Sequence, residues 1–137
     1  MEKPTESKNL FVFFDGTANN PIVPTNIYRL YKGLEESKDN KVEAIYIEGV
    51  GNAKTPISSV LGQGVGFGME ERILRGYKFL VEKYQPGDRI FIFGFSRGAF
   101  TARSLAGLIS YAGIPKKEHA ELNTLWSWRD SNPLPFD

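Results

Sequence analysis

One serine in this chain of 137 residues stands in a setting that suits nucleophilic chemistry. Ser96 is the centre of the pentapeptide Gly94-Phe95-Ser96-Arg97-Gly98, which follows an apolar run and precedes a helix-like run. A strand, then G-x-S-x-G, then a helix is the setting of a nucleophile elbow, a turn so sharp that glycines must flank it. Such a turn would lift the hydroxyl of Ser96 above the edge of a sheet, where it could attack an ester carbonyl.

A serine hydroxyl is a weak nucleophile, so this interpretation also requires a histidine base and an acid that orients it. His119 is the only histidine in the sequence, and Glu118 is the only acid between it and Ser96. Because neighbouring residues on a helix point about 100° apart, Glu118 is poorly placed to orient the ring of His119. A solvated histidine is therefore favoured over a catalytic base at His119. We expect the chain to be weak or inactive as a hydrolase by itself.

Apolar runs and helical periodicity alternate along the chain. The apolar runs predict strands over Leu10 to Phe14, Val42 to Ile47 and Arg89 to Phe93. The helical periods predict helices from Thr25 or Asn26 to Leu34, from Met69 to Tyr84 and from Ala99 to Ala112. In the last helix, small residues are predicted to form a stripe against the sheet: Gly98, Ala102 and Ala106. The pattern predicts one α/β domain over residues 1–137, a three-layer sandwich around a parallel sheet.

The strand order decides which loops meet at the predicted site. If the first two strands wind in one direction and the third in the other, the strand order is 2-1-3. In such sheets ligands bind at the carboxyl ends of the strands, beside the point where the strand order reverses. The segments Asp15-Gly16-Thr17 and Phe95-Ser96-Arg97 should then converge. We expect the backbone N–H of Arg97 to be one oxyanion donor and that of Gly16 or Thr17 to be the other.

Charged residues near this site have more than one interpretation. Asp15 could polarise a substrate, bind a cation or orient the oxyanion loop, yet an Asp-Gly pair at a strand end is first of all a turn that caps local N–H groups. Arg97 and Arg103 could receive a phosphate head group. They could equally pair with acids, namely Asp15, Glu70 or Glu71. The sequence leaves both alternatives for the arginines open.

Composition narrows the partners that the chain could have. The 17 basic and 16 acidic residues are not clustered and give a net charge of +1, which argues against a nucleic-acid surface. There is no cysteine, hence no thiolate metal site, and the glycine-rich stretch 49–68 does not complete G-x-G-x-x-G. The polar first residues and the lack of a long apolar run predict a soluble, cytoplasmic protein without export signal or transmembrane segment.

Five segments carry a resemblance to a known family: FFDGTANN, TNIYRLYKGL, YIEGVGN, GFGMEERILRGYKFLVEKY and DRIFIFGFSRGAFTARSLAGLI. Over roughly residues 9–113 the chain resembles the amino-terminal half of the type VI secretion phospholipase effector family and its α/β-hydrolase relatives. The resemblance implies part of an α/β-hydrolase fold and Ser96 as nucleophile of a Ser, Asp, His triad without metal or organic cofactor. For secreted members it also implies hydrolysis of phospholipid esters, peripheral membrane contact and delivery by a type VI secretion system.

The family's aspartate and histidine lie well downstream of the matching segments. The resemblance therefore implies a truncated domain, which a second polypeptide could complete. A non-catalytic interaction module that retains the first half of the hydrolase fold is the main alternative. Haloacid-dehalogenase phosphatases also begin with a strand ending in D-x-D-G-T, but their nucleophilic aspartate would fall on Phe13, which cannot attack phosphorus. Aromatic residues near the end of the sequence could form an acyl-facing lid or cover a sheet edge: Trp126, Trp128 and Phe136.

Overall fold

The computed structural model describes residues 6–16, 24–49 and 68–117. Strands and helices alternate in the order β1 (Asn9–Phe14), α1 (Asn26–Ser37), β2 (Val42–Ile47), α2 (Met69–Lys83), β3 (Arg89–Gly94) and α3 (Arg97–Ala112). Each lies where the sequence pattern predicts it, although α1 continues to Ser37 and α3 begins at Arg97. None of the helices in the described ranges is both long enough and apolar enough to cross a bilayer.

The three strands form one parallel sheet in the order β2-β1-β3, which confirms the predicted 2-1-3 order and the α/β class. The register pairs Phe14, the last residue of β1, with Ile47 of β2 and with Gly94 of β3. All three strands therefore end at the same edge. The chain leaves β1 at Asp15 directly beside the point where it leaves β3 at Phe95.

The central strand β1 is covered on both faces, so its side chains alternate between two packed layers. The layer with α2 and α3 contains Leu10, Val12 and Phe14. On the other face the rings of Phe11 and Phe91 stack with centroids 4.8 Å apart, and Tyr31 of α1 meets Phe13 edge-on. Helices thus lie on both faces of the sheet, as the three-layer prediction requires.

Helix α3 packs on the sheet through its small residues, but not through the whole predicted stripe. Gly98 and Ala102 are buried as expected, whereas Ala106 is exposed. Each four-residue step rotates about 40° past a full turn, so two steps carry position 106 about 80° away from position 98. Leu105, one residue earlier, takes the buried position instead.

Candidate active site

Ser96 forms the turn between β3 and α3 in a backbone conformation that side-chain-bearing residues rarely adopt. Its φ is 55° and its ψ is −123°, and it is the N-cap of α3. A non-glycine residue in this region is strained by about 1–3 kcal/mol and is retained only where its surroundings enforce it. The Ser96 side chain makes no capping hydrogen bond to the helix, and the residue is exposed. Its hydroxyl is therefore available to a molecule from solution.

The first turn of α3 is closed by two backbone hydrogen bonds. The N–H of Gly98 donates to the carbonyl of Phe95, and the N–H of Ala99 donates to the carbonyl of Ser96, each at 2.9 Å. The N–H of Arg97 has no backbone acceptor within the described residues. A helix N-terminus leaves its first N–H groups unpaired and carries a partial positive charge. The Arg97 N–H can therefore donate to a developing negative charge beside Ser96.

Both glycines of the pentapeptide lie where a side chain has no space. A Cβ atom on Gly94 would lie 2.2 Å from the carbonyl oxygen of Gly98, and one on Gly98 would lie 2.6 Å from that of Asp15. The N–H of Phe95 donates to the carbonyl of Phe14 at 3.1 Å. The exit of β1, at Phe14 and Asp15, is thus in backbone contact with the turn after β3, at Phe95 and Gly98.

Asp15 is fully buried, and its carboxylate accepts three hydrogen bonds from residues that the structure describes. The donors are the backbone N–H of Gly16 at 2.9 Å, the hydroxyl of Thr25 at 2.7 Å and the hydroxyl of Tyr46 at 2.6 Å. Burial, and after it the bond to Asp15, raises the pKa of Tyr46 above its ordinary value, so this hydroxyl remains a donor. The Asp15 carboxylate thus binds donors from the exit of β1, the start of α1 and the end of β2.

Thr25 extends this contact to α1. Its side chain accepts from the N–H of Tyr28 at 3.2 Å while it donates to Asp15. One carboxylate therefore ties the exit of β1 to the start of α1. The N–H of Gly16, expected as a possible oxyanion donor, is occupied by Asp15 in this structure. Thr17, the other expected donor, lies outside the described residues.

Arg72 is a buried charge at this site that the sequence interpretation missed. It is 5% exposed, its Nη2 donates to the backbone carbonyl of Asp15, and its guanidinium carbon lies 5.7 Å from the centroid of the Phe14 ring. Burial lowers its pKa to about 10, while the Asp15 carboxylate opposes the shift. Its spacing from Gly76 and Leu80 on α2 places it on the inward face, a signal that could have identified it.

The remaining predicted residues are less constrained. Arg97 is half-buried and Arg103 is exposed, and neither forms an ion pair within the part of the chain that the structure describes. That their guanidinium groups receive a phosphate head group stays a prediction. The proposed base His119 and its neighbour Glu118 lie outside the described ranges, as do Trp126, Trp128 and Phe136. No cluster of metal-ligating side chains occurs among the residues described.

The chain matches known proteins over nearly its whole length. Residues 8–132 match the family model described as "T6SS, Phospholipase effector Tle1-like, catalytic domain". The chain is also 35% identical over 148 residues to "Uncharacterized protein YEL023C" of Saccharomyces cerevisiae, an alignment that covers 97% of this chain and 22% of that protein. The chain therefore spans only 22% of the length of this curated relative. No solved structure matches the chain.

Proposed function

Because the chain belongs to the family of Tle1-like catalytic domains of type VI secretion phospholipase effectors, we propose that it carries the nucleophile part of a lipid-ester hydrolase. Ser96 is the proposed nucleophile. The observation that carries the proposal is the backbone of Ser96, with φ 55° and ψ −123° between a parallel strand and a helix. This is the strand, turn and helix arrangement that exposes a serine hydroxyl in α/β hydrolases.

The proposed reaction proceeds through an acyl-enzyme. The Ser96 oxygen attacks the ester carbonyl carbon while a base takes the hydroxyl proton, and that proton then passes to the departing alcohol. Water afterwards cleaves the acyl-serine. The N–H of Arg97 is one proposed donor to the oxyanion. Of the two loop candidates we favour the N–H of Thr17, since that of Gly16 donates to Asp15.

The base and its acid are proposed to come from a segment other than those that form the described site. The described ranges contain no histidine, and we do not assign His119 this role because Glu118 cannot orient it well. A histidine and an aspartate from a longer form of the protein, or from a second polypeptide, would complete the triad. We therefore propose that these residues alone give slow hydrolysis, supported by the oxyanion donors and by substrate binding.

A phospholipid is the proposed substrate, and the surroundings of Ser96 support this choice. Phe95 and Phe100 lie one residue before and four residues after Ser96 and are 49% and 47% exposed, an apolar surface suited to acyl chains at a membrane. Arg97 and Arg103 offer cations for a phosphate. We propose peripheral membrane contact through these residues. Synthesis in the cytoplasm and delivery by a type VI secretion system, which the family description names, is a separate proposal from the lipid chemistry.

A fluorophosphonate probe tests the nucleophile directly. Wild-type chain should label slowly, and peptide mapping should place the label on Ser96. Ser96→Ala should abolish labelling, whereas Ser110→Ala, which removes another exposed serine from the same helix, should label like wild type. A wild-type chain that stays unlabelled would favour the non-catalytic interaction module. The lipid is tested by fatty-acid release from phosphatidylglycerol vesicles, which Ser96→Ala should stop.

A further inference from the structure

Arg72 reaches the exit of β1 because α2 runs unusually close to the sheet there. One turn after Arg72, a Cβ atom on Gly76 would lie 2.9 Å from a methyl group of Leu105 and 2.9 Å from the ring of Phe14. Positions four residues apart lie on the same face of a helix. The glycine thus brings the inward face of α2 against the end of β1, and the arginine one turn earlier lies over the next residue, Asp15.

A buried guanidinium is expensive at this position, so its presence needs a physical reason. Removing a cation from water is unfavourable, and an apolar side chain of similar volume often stabilises a core as well or better. The Nε of Arg72 has no hydrogen-bond partner among the described residues, so the group is not fully compensated. Its Nη2 nevertheless donates to one specific acceptor, the carbonyl oxygen of Asp15.

That carbonyl belongs to the peptide unit at the exit of β1. The C=O of Asp15 and the N–H of Gly16 share one plane, so fixing the direction of the carbonyl also fixes the direction of the N–H. Arg72 holds the carbonyl, while the Asp15 carboxylate accepts from the N–H at 2.9 Å. The same carbonyl is one of the atoms that Gly98 packs against, at the start of α3.

We propose that Arg72 is a positioning residue for the reaction at Ser96. It acts through the Asp15-Gly16 peptide, whose carbonyl oxygen is one of the atoms that Gly98 packs against, two residues after Ser96. An apolar side chain could fill the same space but could not donate to the carbonyl. This role rests on the proposed function, since it concerns the reaction proposed at Ser96.

Amide hydrogen exchange followed by NMR on the full chain tests the proposal without substrate. In Arg72→Met, exchange at Gly16 should accelerate by about tenfold relative to Leu80 and Val81, because a charge-assisted hydrogen bond no longer holds its peptide. Arg72→Lys, which keeps a charge and a donor, should recover most of the protection. Arg75→Met removes an exposed charge from the same helix and should leave Gly16 unchanged.

The outcomes separate positioning from simple packing. The proposal would be overturned if the Gly16 amide of Arg72→Met exchanged at the wild-type rate. It would also be overturned if exchange accelerated evenly over the core amides. If Arg72→Met does not fold, Arg72→Lys is compared with wild type instead. Faster exchange confined to Gly16, by less than tenfold, supports positioning. Unchanged exchange at Gly16, or faster exchange spread evenly over the core amides, overturns it. Where wild type labels with fluorophosphonate, Arg72→Met should also label about tenfold more slowly with Ser96 intact. Absence of wild-type labelling would count against the proposed function alone, because the exchange at Gly16 is measured independently of it.

Discussion

Gly98 at the start of α3 lies against the backbone of Phe14 at the end of β1, so closely that a Cβ atom would come within 2.2 Å of the Phe14 carbonyl oxygen. This contact joins two segments that are distant in sequence. Backbone rather than side-chain atoms set the separation, so it cannot be relieved by choosing another rotamer. The position of the Ser96 turn relative to the exit of β1 is therefore fixed by the absence of a side chain at position 98.

Gly98→Ala should destabilise the protein by about 3 kcal/mol, because the new methyl group forces the helix away from β1. Urea unfolding measures the change. Gly107→Ala is the matched control: position 107 lies on the same helix, is exposed, and has no atom within 4 Å of the point that a Cβ atom would occupy. That change should stabilise by up to about 1 kcal/mol through helix propensity. Equal effects at the two positions would contradict the close approach at Gly98.

Tyr46→Phe should reduce the free energy of unfolding by about 1.5 kcal/mol, because the buried Asp15 carboxylate loses the hydroxyl donor of Tyr46. Tyr28→Phe is the control. The Tyr28 ring packs 5.3 Å from that of Tyr46, yet its hydroxyl forms no hydrogen bond within the described residues. Its removal should change stability by less than about 0.5 kcal/mol. A similar loss from both variants would show that ring packing, and not the bond to Asp15, is what Tyr46 contributes.

Stability should fall as the pH rises above about 10, where tyrosines of the unfolded chain ionise. Burial and a bond to Asp15 raise the pKa of Tyr46, and burial and a bond to Glu35 raise that of Tyr31 to about 12. The folded state then holds more protons than the unfolded state, so stability is full below pH 10 and is lost above it. Arg72, whose pKa burial lowers to about 10, acts in the opposite direction.

Comparison of wild type with Tyr46→Phe isolates one of these contributions, because the arginine is common to both proteins. Between pH 9 and pH 11 wild type should lose about 1 kcal/mol more than the variant, at about 1.4 kcal/mol per pH unit for one withheld ionisation. Urea unfolding at the two pH values measures the difference. Parallel losses would mean that Tyr46 ionises in the folded protein as readily as in the unfolded one.

Local pattern was sufficient to predict the strands, the helices and the turn at Ser96. The run from Leu10 to Phe14 is apolar throughout because β1 is central and covered on both faces, and the glycines at 94 and 98 indicate a turn without space for side chains. These features depend on residues close together in the sequence. The period of the helix also explains the error at Ala106, where a small residue was assigned to the sheet face without following its rotation.

The polar contacts around Asp15 could not be predicted in the same way. Its partners are Thr25, Tyr46 and Arg72, which come from three different elements, and no spacing in the sequence relates them. The sequence left several alternative roles open for Asp15 and predicted Gly16 as one of two candidate oxyanion donors. Tertiary packing brings these three partners together, whereas the bond from the Gly16 N–H to the Asp15 carboxylate is a local contact of the kind that the Asp-Gly pair indicated.

Ser96→Gly should stabilise the protein relative to Ser96→Ala by about 1–2 kcal/mol, because glycine adopts a φ of 55° without strain while alanine keeps the Cβ atom. Both variants lack the hydroxyl and should fail to label with fluorophosphonate. Ser110→Gly, at an exposed position inside the same helix, should instead destabilise by about 1 kcal/mol. Urea unfolding of the three variants gives the comparison. If glycine at position 96 proves no more stable than alanine, the turn holds no strain, and the main physical support for a nucleophile at Ser96 is lost.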